Sequence, residues 1–102
     1  MEANQNELII PPKAADDPRA WEILRVWIAH RKLHVSIKPS WDDTAAWGLA
    51  IMDIIRHLAD AYHKSHGIDP AETTARIVAL VRAEFEHPTD TPKGHFVEEP
   101  TK

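Results

Sequence analysis

The chain has 102 residues, 43% of them hydrophobic and 27% charged, a composition typical of one globular domain with a single core. Its net charge of −4 and pI near 5.9 provide no basic patch for a phosphate backbone, so we expect no nucleic-acid partner. The chain contains no cysteine, which excludes disulfides, thiolate metal sites and thiol catalysis. It is also consistent with a reducing compartment.

The prolines lie mainly near the two ends of the chain. Residues 1–20 are predicted to be a mostly flexible segment, because Pro11-Pro12 and Asp16-Asp17-Pro18 hold no helical period. The apolar run Leu8-Ile9-Ile10 is too short for a signal peptide or a membrane span, and it is a candidate short strand. We therefore expect a cytoplasmic protein without a membrane partner. Residues 88–102 are predicted to form a disordered tail, which leaves residues 21–87 as a single α+β domain.

An alternation of period two from Glu22 to Lys38 predicts an antiparallel β-hairpin, with strands at about 22–29 and 33–38. A two-residue turn at His30-Arg31 places six aliphatic side chains on one face, which we expect to meet the core. The six are Leu24, Val26, Ile28, Leu33, Val35 and Ile37. Neither turn residue favours a positive φ, so a longer loop through Lys32 is the alternative.

Two amphipathic helices are predicted to follow, at about 43–65 and 70–87. Asp42 or Asp43 can cap the first, Gly67 can end it, and Asp69 followed by Pro70 starts the second. Two apolar stripes are expected to face the core. The first comprises Trp47, Ala50, Ile51, Ile54, Ile55, Leu58, Ala61 and Tyr62, and the second comprises Thr74, Ile77, Val78, Val81 and Phe85. A glycine one turn into the first helix, Gly48, suggests close approach by another backbone.

Seven histidines raise the possibility of metal or acid–base chemistry. Asp53 and His57 are four residues apart on one helix face, where the carboxylate can raise the pKa of the imidazole. His63 and His66 are three apart and can share one metal ion, although no third ligand lies at a motif spacing. The simpler interpretation is a solvated helix face with histidines near its C-terminal dipole. We therefore predict no catalytic residue and no cofactor, and lean against an enzyme.

The hairpin is incomplete by itself, because a two-stranded sheet is marginal and has two open edges. Either residues 8–10 add a third strand, or two copies pair edge to edge as a homodimer. The face opposite the aliphatic one carries Arg25, Trp27 and His34, and Trp27 is either covered by the N-terminal segment or offered to a partner. Trp47 is expected in the core, with Trp41 packed before the helix as a hydrophobic staple.

Several short elements occur together in order along residues 21 to 85. They are Leu24-Arg25-Val26-Trp27-Ile28, Leu33-His34-Val35-Ser36, Trp41-Asp42-Asp43, Ala45-Ala46-Trp47-Gly48, Arg56-His57 and Ala61-Tyr62. In these elements the chain resembles a family of small bacterial proteins classed only as a domain of unknown function. The resemblance implies a bacterial origin, a stand-alone domain, and an Asn-Gly-like or Asp-Gly-like turn where this chain has His30-Arg31. It implies no activity.

Together these features favour a non-enzymatic protein-interaction or homodimerisation module, with either a second copy or an unidentified protein as its partner. Arg25, Trp27 and His34 are the candidate interaction residues. The alternative is a small-molecule or metal-binding domain that uses Asp53, His57, His63 and His66.

Overall fold

A computed structural model describes residues 6–89, which form a mixed α+β structure of a two-stranded antiparallel hairpin followed by two long helices. This architecture confirms the predicted fold. The elements are α1 (Pro12–Ala15), β1 (Leu24–Ala29), β2 (Lys32–Ile37), α2 (Ala46–His66) and α3 (Pro70–Glu86). The described residues fall into two compact units, residues 6–38 and residues 39–89. Most of the predicted C-terminal tail lies outside the described residues.

The strands of the hairpin pair in the predicted register. Leu24 lies opposite Ile37, Val26 opposite Val35, and Ile28 opposite Leu33. A slip of one residue would divide these aliphatic side chains between the two faces, so their shared hydrophobicity specifies the register. Beyond the strand ends, the Lys38 amide donates to the Ile23 carbonyl at 2.9 Å, which continues the ladder by one pair.

The turn is tight and unusual in its residues. His30 and Arg31 are the two connecting residues, and both have positive φ, at 51° and 62°. The two-residue turn is thus confirmed, and the longer loop through Lys32 is not formed, because Lys32 already pairs with Ala29. Left-handed backbone costs a residue other than glycine roughly 1–2 kcal/mol, so strand pairing holds this turn against local preference.

The N-terminal segment differs from the expectation in two respects. Pro12–Ala15 form one helical turn, α1, with a proline at its first position and the Asp16 amide bonded to the Pro12 carbonyl at 3.0 Å. A single turn is too short to show a helical period in the sequence. Leu8, Ile9 and Ile10 form no strand, and the sheet described in residues 6–89 has two strands. The third-strand alternative is therefore wrong for this part of the chain.

Helix α2 begins three residues later than its predicted start. The Asp43 carboxylate accepts from the Ala45 amide at 3.0 Å, and i to i+3 backbone bonds at Ala46, Trp47 and Gly48 lead into the helix. Asp43 therefore caps a tight entry turn rather than the first α-helical residue. Gly48 has open space around it, since a Cβ there would meet no atom within 4 Å. The predicted close approach of a backbone is wrong.

The end of α2 and the start of α3 lie where the sequence predicts them. Gly67 closes α2 in the left-handed conformation at φ 69°, with its amide bonded to the His63 carbonyl at 2.9 Å. Asp69 caps α3 by accepting from the Ala71 amide at 3.3 Å, and Pro70 takes the first helical position. Trp41 lies edge-on to Trp47 with ring centroids 5.2 Å apart, and so packs on the first turn of α2.

Few of the residues predicted to form the core are buried. Within residues 6–89 the buried hydrophobic side chains are Val35, Ile55 and Ala59, and α3 has no buried residue. Large side chains of both predicted stripes are exposed, namely Ile51, Ile54, Leu58, Tyr62, Val78, Val81 and Phe85. The prediction that the stripes lie in the core is therefore wrong for these seven side chains in the single chain. It is confirmed for Ile55, which is buried, and the remaining half-buried members are Trp47, Ala50, Thr74 and Ile77. None of the helices in the described range is long and apolar enough to cross a membrane.

Candidate interaction surface

The polar face of the hairpin is organised by Arg25. Its Nε donates to the Glu22 carboxylate at 3.1 Å, and a terminal nitrogen donates to Glu7. These two carboxylates, Glu22 first, raise the pKa of Arg25 above its usual value. The guanidinium is partly exposed and held from two sides. Glu7 thus brings the N-terminal segment against this face.

Trp27 and His34 lie beside Arg25, directly opposite each other across the strands. Both are half-buried. His34 donates from Nε2 to the Ala29 carbonyl at 3.0 Å, which assigns the proton to that nitrogen and fixes the ring plane. The structure therefore brings the predicted interaction residues to one face of β1 and β2. Partner binding at that face stays a prediction.

The opposite face of the hairpin ends in an exposed apolar cluster. Val26, Ile28 and Leu33, here called the aliphatic tip, are 46%, 70% and 54% exposed. Their neighbour on the same face, Val35, is only 7% exposed. Sequence reasoning placed the aliphatic tip in the core, because alternation identifies an apolar face but cannot tell a core from a surface that meets a partner.

The backbone edges of the hairpin have a definite pattern. Lys38 and Ile23 form a hydrogen-bonded pair, and such pairs alternate along an antiparallel ladder. Leu24, Val26 and Ile28 therefore direct their N–H and C=O groups away from β2. Among the described residues, no backbone group outside the hairpin bonds to these three. Within residues 6–89, the outer edge of β1 is thus open to another strand.

The Asp53 and His57 pair forms as a local contact on α2. The imidazole donates from Nδ1 to the Asp53 carbonyl at 2.8 Å, and the Asp53 carboxylate is 3.5 Å from the same nitrogen. Both side chains are largely exposed. A general base must lie within hydrogen-bond reach of the group from which it takes a proton. This geometry instead resembles the neighbouring surface pair of Lys64 and Asp60, 2.9 Å apart.

His63 and His66 bond to different groups at the end of α2. His63 donates from Nδ1 to the Ile68 carbonyl at 3.2 Å, whereas the same ring atom of His66 bonds to the Ser65 hydroxyl. The His66 ring also packs on Tyr62, with centroids 5.3 Å apart. Across residues 6–89, no three histidine or acidic side chains come together as a metal site. The predicted pair would need ligands from elsewhere.

The unit formed by α2 and α3 contains a shallow groove of about 480 Å³. Ala59, Pro70 and Val78 contribute apolar surface to it, and Arg56 and Thr74 are its polar members. Ligand sites usually combine apolar walls with several converging polar groups. This groove is open and mainly apolar, so it has the character of a contact surface.

Comparison with solved structures gives a relative of the same extent. A protein from the photosynthetic bacterium Rhodopseudomonas palustrus CGA009, named a "putative pyruvate dehydrogenase", shares 28% sequence identity and a TM-score of 0.72. The match covers 99% of this chain and 100% of that one. No curated protein matches the sequence. The family model of the domain of unknown function DUF5076 matches residues 7–89, and the chain therefore belongs to that family.

Proposed function

We propose that this protein is a non-enzymatic homodimerisation module of the bacterial cytoplasm, in which a second copy covers apolar surface that the single chain leaves exposed. The aliphatic tip is the observation that carries the proposal. Val26, Ile28 and Leu33 are exposed although they share a face with the buried Val35. A contiguous apolar patch on a soluble protein marks a contact site.

The exposed surface is large enough to matter energetically. Complete burial of a valine, leucine or isoleucine side chain contributes roughly 1.5–3 kcal/mol. Of the aliphatic tip, Val26 and Ile28 lie on β1 beside its outer edge, and covering their exposed parts contributes about 2–3 kcal/mol per protomer at most. Association costs roughly 4–15 kcal/mol in lost freedom of motion. The contributions of two protomers, together with backbone hydrogen bonds, can offset a cost in the lower part of that range.

The helical unit independently exposes apolar surface. Val78, Val81 and Phe85 recur along one face of α3, and Phe85 is 87% exposed. Leu49 on α2 is 78% exposed. These side chains add to the surface that a partner can cover. They also extend the candidate contact area beyond the hairpin.

The cellular assignment rests on composition and kinship. The absence of cysteine fits a reducing compartment, and the solved relative comes from a bacterium. The Asp53–His57 and Asp60–Lys64 pairs are local contacts on the surface of α2, and the groove between α2 and α3 offers few polar groups to a substrate.

Sedimentation velocity across a wide range of protein concentration tests the proposal. We expect a species of about 23 kDa, twice the 11.6 kDa of the chain, that dissociates on dilution. A single 11.6 kDa species at every concentration, up to hundreds of micromolar, would overturn it. A thermal-shift screen with divalent metals and metabolites tests the ligand alternative, because binding to the native state raises the unfolding temperature.

A further inference from the structure

We propose that two copies join through the outer edges of β1, antiparallel and about a two-fold axis at Val26, to make a four-stranded sheet. This inference rests on the proposed homodimer and specifies how it forms. Its basis is the juxtaposition of three features in residues 6–89: a backbone edge of β1 that no described strand covers, the aliphatic tip, and the charges on the two strands.

The hydrogen-bonding groups of β1 determine the register. Leu24, Val26 and Ile28 point their backbone groups away from β2, as the alternation of the ladder requires. With the axis at Val26, the Val26 residues of the two copies lie opposite each other. Leu24 of each copy then lies opposite Ile28 of the other copy. Each of these pairs exchanges two hydrogen bonds. The register therefore uses all outward groups of the strand, about six bonds in total.

The same register suits the side chains on both faces. On the apolar face, the exposed Val26 lies beside its own copy and the exposed Ile28 lies beside Leu24 of the second copy, so the flanks of these side chains cover one another. On the polar face, Arg25 lies directly opposite Trp27 of the second copy. The Arg25 guanidinium is already oriented by Glu7 and Glu22, and an arginine beside an indole is a favourable pair. Two of the three candidate interaction residues thus lie at the junction.

The other edge of the hairpin is less suitable. A two-fold axis at Val35 would pair β2 with β2 and put Lys32 directly opposite Lys38 of the second copy. Like charges directly opposite each other destabilise a sheet, and edge lysines commonly prevent strand pairing. Pairing of β1 with β2 of another copy would leave open edges and continue without end. Pairing through β1 closes after two copies.

Single cysteines in the full chain test the geometry, because the natural sequence has none. Val26→Cys places two thiols opposite each other, with Cα atoms about 5.5 Å apart, which a disulfide can span. Leu33→Cys is the matched control. It replaces another exposed member of the aliphatic tip, but in the proposed dimer its two copies lie roughly 20 Å apart.

Under mild oxidation at a concentration where the wild-type chain is dimeric, we expect at least tenfold faster cross-linking of Val26→Cys than of Leu33→Cys. Equal rates, or faster cross-linking of Leu33→Cys, would overturn the proposal. Circular dichroism of each reduced variant verifies that it is folded.

A second pair of variants tests the edge without a covalent bond. Val26→Lys places two lysines directly opposite each other at the axis, so we expect the dimer dissociation constant measured by sedimentation to rise at least tenfold. Added salt should make this rise smaller, because it screens the repulsion between the lysines. Leu33→Lys should leave the constant nearly unchanged. If the wild type is dimeric and Val26→Lys has no effect, the β1 edge is refuted while the homodimer stands. If the wild type is monomeric, the homodimer itself fails.

Discussion

The strained turn of the hairpin offers a direct test of how the fold is held. His30 and Arg31 are exposed and have positive φ, and within the described residues neither side chain makes a hydrogen bond or ion pair. Arg31→Gly removes a steric cost of roughly 1–2 kcal/mol, but glycine gives back about 0.5–1 kcal/mol through the freedom of the unfolded chain. We therefore expect a net gain of about 0.5–1 kcal/mol, and about 1–2 kcal/mol when His30→Asn is added.

Thermal unfolding measures this gain. For a chain of this size, 1 kcal/mol shifts the midpoint by about 4–8 °C, so Arg31→Gly should raise it by roughly 2–8 °C. All variants are compared at one protomer concentration, because dimerisation makes the midpoint concentration-dependent. Lys32→Gly is the control, since Lys32 is an exposed strand residue and should lose about 0.5–1 kcal/mol. A midpoint for Arg31→Gly at or below that of the wild type would refute strain at the turn.

Two smaller effects follow from the helices. Asp69→Ala removes the cap of α3 and should lower the free energy of unfolding, measured by thermal unfolding, by about 1 kcal/mol. Asp69→Asn should retain most of this stability, because asparagine also caps helices. Equal losses of stability in the two variants would argue against capping. A hydrogen bond from Lys64 lowers the pKa of Asp60 below its usual 3.8. The pair therefore stabilises the fold at pH values above the pKa of Asp60 in the unfolded chain, and this stabilisation is lost as the pH falls through the lowered pKa of the folded chain. In Lys64→Met, NMR titration of the carboxyl groups should show the pKa of Asp60 rising back towards 3.8. An unchanged pKa would contradict the pairing.

Local signals in the sequence were sufficient for the framework. The register of the hairpin followed from six aliphatic residues that only one pairing places on a common face, and the boundary between α2 and α3 followed from Gly67, Asp69 and Pro70. The placement of the two-residue turn was also correct, although its residues do not favour that backbone. The reason is that the many hydrogen bonds and side-chain contacts of the paired strands outweigh the unfavourable backbone conformation of two turn residues.

Features that depend on distant contacts were not predictable in the same way. The periodicity of Val81 and Phe85 indicates an apolar stripe, but the sequence does not state whether that stripe meets the same chain or another one. The contact of Glu7 with Arg25 joins residues far apart in sequence, and no spacing rule indicates it. The single turn α1 contains too few residues to show a period.

The aromatic pair at the start of α2 also provides a spectroscopic signal of the helical unit by itself. Trp41 and Trp47, 5.2 Å apart and at 76°, are close enough for their indole transitions to couple, so they give an exciton signal in circular dichroism that depends on the helical unit alone. The hairpin unit contains two further tryptophans, Trp21 and Trp27, so the total tryptophan fluorescence reports on both units. Following the two signals during denaturation distinguishes one cooperative transition from two, and so reveals whether hairpin and helices unfold as one domain.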